Sequence, residues 1–159
     1  MLIAPQEPPD PQDSDELVLR EDTLHYTPYP GSVTLARRRT ARLVAEWGYP
    51  ELAGDAALLL SELATNAILH GCVAERLFEV RLALSARVLR VSVRDGRENA
   101  HPRSRCPGPD DQFGRGLLLV QALAARWGVR PGPGGKEVWC ELDLATAERI
   151  DDRNKEERS

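Results

Sequence analysis

Lysine is nearly missing from this chain. Only Lys136 and Lys155 supply ammonium groups, although lysine and arginine together number 21 of the 159 residues. The positive charge is therefore almost all guanidinium, which favours bidentate contacts with phosphate or carboxylate. Cysteine is also scarce. Cys72, Cys106 and Cys140 are odd in number and form no Cys-x-x-Cys pair, which argues against a disulfide framework and fits reduced thiols. His70 and Cys72 have no second close ligand pair, so their spacing does not support zinc. No apolar run reaches the length of a membrane span and no signal-peptide pattern opens the sequence, so the expected setting is the cytoplasm, with no membrane partner. The 25 acidic residues outnumber the basic ones to give a net charge of −4, and without an overall basic field no direct nucleic-acid partner is expected.

What is present suits one domain with charged ends. At 42% hydrophobic and 29% charged, the chain can bury a real core but is short for two domains. Residues 1–22, with Pro5, Pro8, Pro9 and Pro11 among several acids, read as a disordered leader. Residues 23–145 form the domain, and 146–159 a charged C-terminal tail or frayed helix. Leu24 to Tyr29 suits a short edge strand. Ser32 is placed to cap a helix running to about Trp47, with Leu35, Leu43, Val44 and Trp47 on its apolar face. After the break at Gly48-Tyr49-Pro50, a second helix is expected from about Glu51 to Leu69.

A hairpin follows. Phe78, Val80, Leu82 and Leu84 alternate with polar residues or alanine, as do Leu89, Val91 and Val93 beyond a turn near Ser85 and Ala86. The same period of two places Asp95 on the face of Val91 and Val93, toward the core. Residues 96–113 read as a loop long enough to be a functional lid. Gly114-Arg115-Gly116 then opens a helix in which Leu117, Val120, Ala124 and Trp127 recur at helical spacing, and the domain closes on a strand with Val138, Cys140 and Leu142 inward. Lys136 shares that inward parity. The expected fold class is α+β, a two-layer sandwich of a mixed, mostly antiparallel sheet covered on one face by about three helices.

Glu62, Asn66 and His70 lie one turn apart on the otherwise apolar second helix. A carboxylate and an amide on a face turned toward a core need a polar partner to offset desolvation. A phosphate-bound divalent cation is one such partner, with Glu62 able to take a proton and the Asn66 amide oxygen able to bind Mg²⁺. The alternative is that Glu62 and Asn66 form a solvated helix face. Asp95 at a strand end can accept a hydrogen bond from an exocyclic amine such as adenine N6, or close an ordinary Asp-Gly turn. Gly96 permits close backbone approach to a ring. Gly114-Arg115-Gly116 offers free N–H groups and the positive end of a helix dipole to phosphates, or makes a tight loop. Lys136 either reaches into the cleft or snorkels to solvent.

Four segments in order, Glu62-Leu-Ala-Thr-Asn66-Ala67-Ile-Leu-His70-Gly71, Val93-Arg94-Asp95-Gly96, Gly114-Arg115-Gly116-Leu117-Leu118-Leu119-Val120 and Gly135-Lys136-Glu137-Val138-Trp139, resemble the motif boxes of the GHKL ATPase superfamily with its Bergerat-type ATP-binding fold. Within it the chain most resembles the stand-alone anti-sigma factor serine/threonine kinases of Gram-positive bacteria, and its arginine-rich composition fits actinobacterial members. The resemblance spans roughly Leu24 to Leu144. It implies ATP and Mg²⁺ as cofactors, Glu62 as general base, Asn66 as the Mg²⁺ ligand, and Asp95, Gly96, Gly114, Arg115, Gly116, Leu117 and Lys136 around the nucleotide. It also implies a sigma factor and an anti-sigma factor antagonist as partners, with a homodimer as a further option.

The chain departs from the family pattern in places. The usual Asp-x-Gly-x-Gly box here runs Asp95-Gly96-Arg97-Glu98-Asn99, without the glycine two positions after Asp. The last box has Lys136-Glu137 where the family often has Thr, although strand parity turns Glu137 away from the cleft. The acidic leader is not explained by the motifs. Beside the kinase stands a nucleotide-dependent binding module that transfers no phosphate. A detached histidine-kinase ATPase domain is a third class, disfavoured because no helical hairpin with a phosphoacceptor His precedes the domain.

Overall fold

A computed structural model describes residues 17–70, 77–95, 115–132 and 135–158. In chain order the elements are β1 (Arg20–Tyr26), α1 (Pro30–Glu46), α2 (Pro50–His70), β2 (Phe78–Leu84), β3 (Val88–Arg94), α3 (Arg115–Leu123), β4 (Arg126–Gly132), β5 (Gly135–Asp143) and α4 (Ala145–Arg158). The five strands form one sheet in the order β1-β2-β3-β5-β4. Every neighbouring pair is antiparallel, so the expected mixed sheet has no parallel pair among the described strands.

α1 begins at its proline. Pro30 sits in the first turn, where a missing N–H costs nothing and the ring presets a helical φ. The expected cap at Ser32 is therefore displaced: Tyr29 is the N-cap without a side-chain bond, and Ser32 lies buried inside the first turn with its hydroxyl 2.7 Å from that of Thr27. The helix stops at Gly48, whose φ of +103° few other residues adopt. Gly48 N–H donates to Ala45 O at 3.0 Å and Tyr49 N–H to Val44 O at 3.0 Å, the paired bonds of a Schellman cap. The chain reverses there into α2, and the two helices pack side by side.

α2 is the spine of the core. Leu52, Ala56, Leu59, Leu60, Leu63 and Ala64 are completely buried, and they meet Val80, Leu82, Leu89, Val91, Val93, Val138 and Cys140 from the sheet. The β2-β3 hairpin turns as expected, Ser85 receiving the Val88 N–H on its hydroxyl at 3.3 Å while donating its own N–H to Val88 O at 3.0 Å. β1 starts earlier than the pattern suggested: Arg20, Glu21 and Asp22 already pair with Leu84, Ala83 and Leu82. Asp22 ties this edge to α1 through a two-pronged contact with Arg39 at 2.7 and 3.0 Å.

The third helix is shorter than expected. Leu117 and Val120 lie in the helix as expected, but α3 ends at Leu123, one residue before Ala124, and Trp127 belongs to β4, opposite Cys140. Strand pairing wins because Trp127 and Val129 fill the core face while Arg126, on the other face, reaches both Glu141 and Asp143. A fourth helix, α4, follows β5 and packs on α2 with Ala147 buried.

The helix-free face of the sheet is polar except at its centre. Trp139 points there and yet is only 1% exposed, because the Arg90 guanidinium lies 4.4 Å from its ring centroid. Arg90 is in turn held by Glu137 and Glu141.

Candidate functional site

Two of the segments singled out by sequence, α2 and the strand that leads to Asp95, pack together, the helix lying on one face of the sheet. α2, which carries the polar stripe, packs against both β3 and α3. Glu62 and Asn66 are half-buried, whereas Leu63 and Ala64 beside them are fully buried and Thr65 is exposed. They therefore flank the buried seam instead of pointing straight away from it. Four residues of helix separate them by about 6 Å along the axis, close enough to act on one ligand. Ser61, next to Glu62, turns its hydroxyl back to Ala57 O at 3.0 Å and so is satisfied within the helix. His70 is the last residue of α2.

Asp95 lies one residue beyond β3 and is half-buried, in line with Val91 and Val93, which face the core. Its position is held by the neighbouring strand: Asp95 N–H donates to Lys136 O at 3.1 Å, and the Lys136 N–H donates to Asp95 Oδ1 at 3.0 Å. Lys136 thus contributes through its main chain, a role its side-chain chemistry does not announce. Glu137, the next residue, faces the opposite side of the sheet, where Arg94 and Arg90 pair with it at 3.4 and 3.7 Å. Its charge is accordingly kept off the side where Asp95 and α2 lie.

Arg115, Gly116 and Leu117 form the first turn of α3, the positive end of that helix. Gly96 and Gly114, the remaining glycines of the expected site, lie outside the described residues, as do Cys72, Cys106 and the lid segment 96–113.

The donor set suits a cation carried with phosphates better than a protein-caged one. Among the described residues no three His, Cys, Asp or Glu side chains cluster as a metal cage. A single amide oxygen, that of Asn66, is the sparse oxygen donation that Mg²⁺ accepts when phosphates and waters complete its shell. Cys140 is no candidate nucleophile or ligand. Burial, aided by the charge of Glu141, pushes its thiol up to about 12, against an opposing pull from Arg90.

No helix among the described residues is long and apolar enough to cross a membrane. No curated protein matches the chain. A family model for the histidine kinase-like ATPase domain matches residues 26–142, from the end of β1 through β5, and so takes in every element around Glu62, Asn66, Asp95 and Lys136. With an open antiparallel sheet bearing its helices on one face and a family match over most of its length, the chain belongs to the histidine kinase-like ATPase domain family, within the GHKL superfamily, and ATP is the ligand that membership implies.

Proposed function

We propose that this protein is an anti-sigma factor and ATP-dependent serine/threonine kinase, which binds a sigma factor and phosphorylates an anti-sigma factor antagonist in the cytoplasm. The observation that supports it most is the pairing of half-buried Glu62 and Asn66 one turn apart on α2, packed against the elements that carry Asp95 and the first turn of α3. In this reading Asp95 accepts a hydrogen bond from the adenine amine, and its fixed bond to the Lys136 main chain orients the carboxylate for that task. The N–H groups at the start of α3, with Arg115, take the phosphates, and Gly96 and Gly114 give room for close backbone approach. Asn66 would hold Mg²⁺, which would supply charge neutralisation for the phosphates. Glu62 takes the proton from the antagonist's serine or threonine hydroxyl as its oxygen bonds to the γ-phosphorus. The bond from that phosphorus to the β-γ bridging oxygen breaks, and ADP leaves. Positioning and charge carry such a transfer more than covalent chemistry does.

A second reading is a nucleotide-dependent binding module of the same fold without transferase activity. The altered box Asp95-Gly96-Arg97 motivates it. Incubation with Mg-ATP and candidate antagonists separates the two: a phosphorylated antagonist, lost in Glu62→Gln while ATP still binds, supports the kinase. ATP binding with no phosphoprotein formed from any antagonist encoded beside a sigma factor would leave the binding module.

A further inference from the structure

The helix-free face of the sheet carries a trough of about 710 Å³ that the nucleotide site does not use. Arg81, Arg87, Arg90, Arg94, Arg126 and Arg130 line it, against only Glu137, Glu141 and Asp143. Arg90, Arg94 and Arg126 share those three acids, and Arg81 pairs with Glu21 of β1. Arg87 and Arg130 are exposed and carry no ion pair among the described residues. The trough therefore has an excess of positive charge, all of it guanidinium. Its floor holds a second unmet demand, since the Trp139 indole N–H beneath Arg90 is buried without an acceptor.

The chain itself supplies the complement. Residues 1–19 contain no basic side chain and five acidic ones, Glu7, Asp10, Asp13, Asp15 and Glu16. This segment enters the domain at the trough: Leu19 N–H bonds Leu84 O at 2.7 Å, and Val18, one residue earlier, lines the trough wall. Sixteen residues of extended chain reach about 50 Å, whereas five strands span about 20 Å. Reach is thus ample to cross from Val18 to Arg130 on β4.

We propose that the acidic leader, residues 1–16, docks in cis along this arginine-lined trough, its carboxylates pairing with Arg87, Arg94 and Arg130. The docked leader covers the helix-free face, so any other acidic protein segment has to displace it. The inference does not depend on the kinase reading.

The test uses the full chain. In one variant all five leader acids are neutralised (Glu7→Gln, Asp10→Asn, Asp13→Asn, Asp15→Asn, Glu16→Gln), and NMR follows the arginine Nε–H signals. At low salt the Arg94 and Arg130 signals should differ from wild type by more than a linewidth, independently of protein concentration. Raising salt to about 0.5 M should move the wild-type signals to the variant's positions, because screening shortens the reach of exposed charges to a few ångströms. Arg94 and Arg130 sit at the far end of their strands from Val18, so a purely local effect at the point of entry does not reach them. Superimposable spectra, or changes confined to Arg87, overturn the proposal. Shifts that grow with protein concentration assign the trough to a second copy and overturn it as well.

Discussion

Asp95 and Lys136 are joined twice, Asp95 N–H to Lys136 O at 3.1 Å and Lys136 N–H to Asp95 Oδ1 at 3.0 Å. The main-chain N–H and side chain of Asp95 and the main chain of Lys136 thus form a closed clasp at the end of the β3-β5 ladder. Asp95→Asn keeps an oxygen for the Lys136 N–H but removes the charge. ATP affinity should fall by about 1.5–3 kcal/mol, the range for hydrogen bonds to charged groups, while the unfolding midpoint stays close to wild type. Calorimetric titration with ATP reads the first and urea denaturation the second; unchanged affinity would remove Asp95 from the adenine site.

Lys136→Ala separates main chain from side chain at the same place. The clasp survives because it uses only the Lys136 N–H and C=O. If the ammonium contacts the nucleotide, ATP binding weakens by about 0.5–1.5 kcal/mol with no change in stability; binding equal to wild type would limit Lys136 to its backbone role.

Glu62 and Asn66 are expected to fail differently. Asn66→Ala should weaken Mg-ATP binding by about tenfold or more, the scale on which metal sites respond to losing a supporting group. Glu62→Gln should leave ATP binding intact and lower phosphoryl transfer by about 10²- to 10⁴-fold, the usual contribution of a general base. Titration and single-turnover phosphorylation of an antagonist, run on both variants, distinguish the two roles.

Two glycines in the α1-α2 hairpin should respond with opposite signs. A methyl group would meet nothing within 4 Å at Gly48 or at Gly54, so the backbone alone decides. Gly48 has φ +103°, and Gly48→Ala should cost about 1–2 kcal/mol. Gly54 is exposed within α2, where alanine is the better helix former, and Gly54→Ala should add about 0.5–1 kcal/mol. Urea titration measures both.

Cys140 should resist alkylation in the native protein at neutral pH, detected by mass spectrometry with and without denaturant. Its thiol ordinarily titrates near 9.0, and burial, with Glu141 adding and Arg90 opposing, raises it to about 12. The fold therefore favours the protonated form. The stability linked to this group is complete below about pH 9 and is lost as pH rises toward 12, and Cys140→Ala should flatten that part of the stability profile.

Much of the architecture follows from periodicity. The β2-β3 hairpin was legible because its strands alternate cleanly and Ser85 can bond across the turn, and α2 because its apolar positions repeat at helical spacing. Trp127 satisfies two patterns, falling three residues after Ala124 and two before Val129, and only the pairing of β4 with β5 chooses the strand. In the candidate site, Glu62 and Asn66 stood out as polar residues on an apolar helix. The Asp95-Lys136 clasp could not be read, because it requires knowing that Arg94 lies opposite Glu137. Nor could the shielding of Trp139, which depends on Arg90 from a different strand.

The centre of the sheet pairs Val88 with Asp143 and Arg94 with Glu137, whereas β2-β3 and β4-β5 pair residues close in sequence, such as Leu84 with Leu89 and Gly132 with Gly135. Local pairings form early and distant ones late, since loop-closure entropy grows with the length of chain enclosed. During synthesis the β2-β3 hairpin therefore emerges with the inner edge of β3 unpaired, waiting for β5. Residues that shield or charge that edge during the wait affect the yield of folded protein more than its final stability.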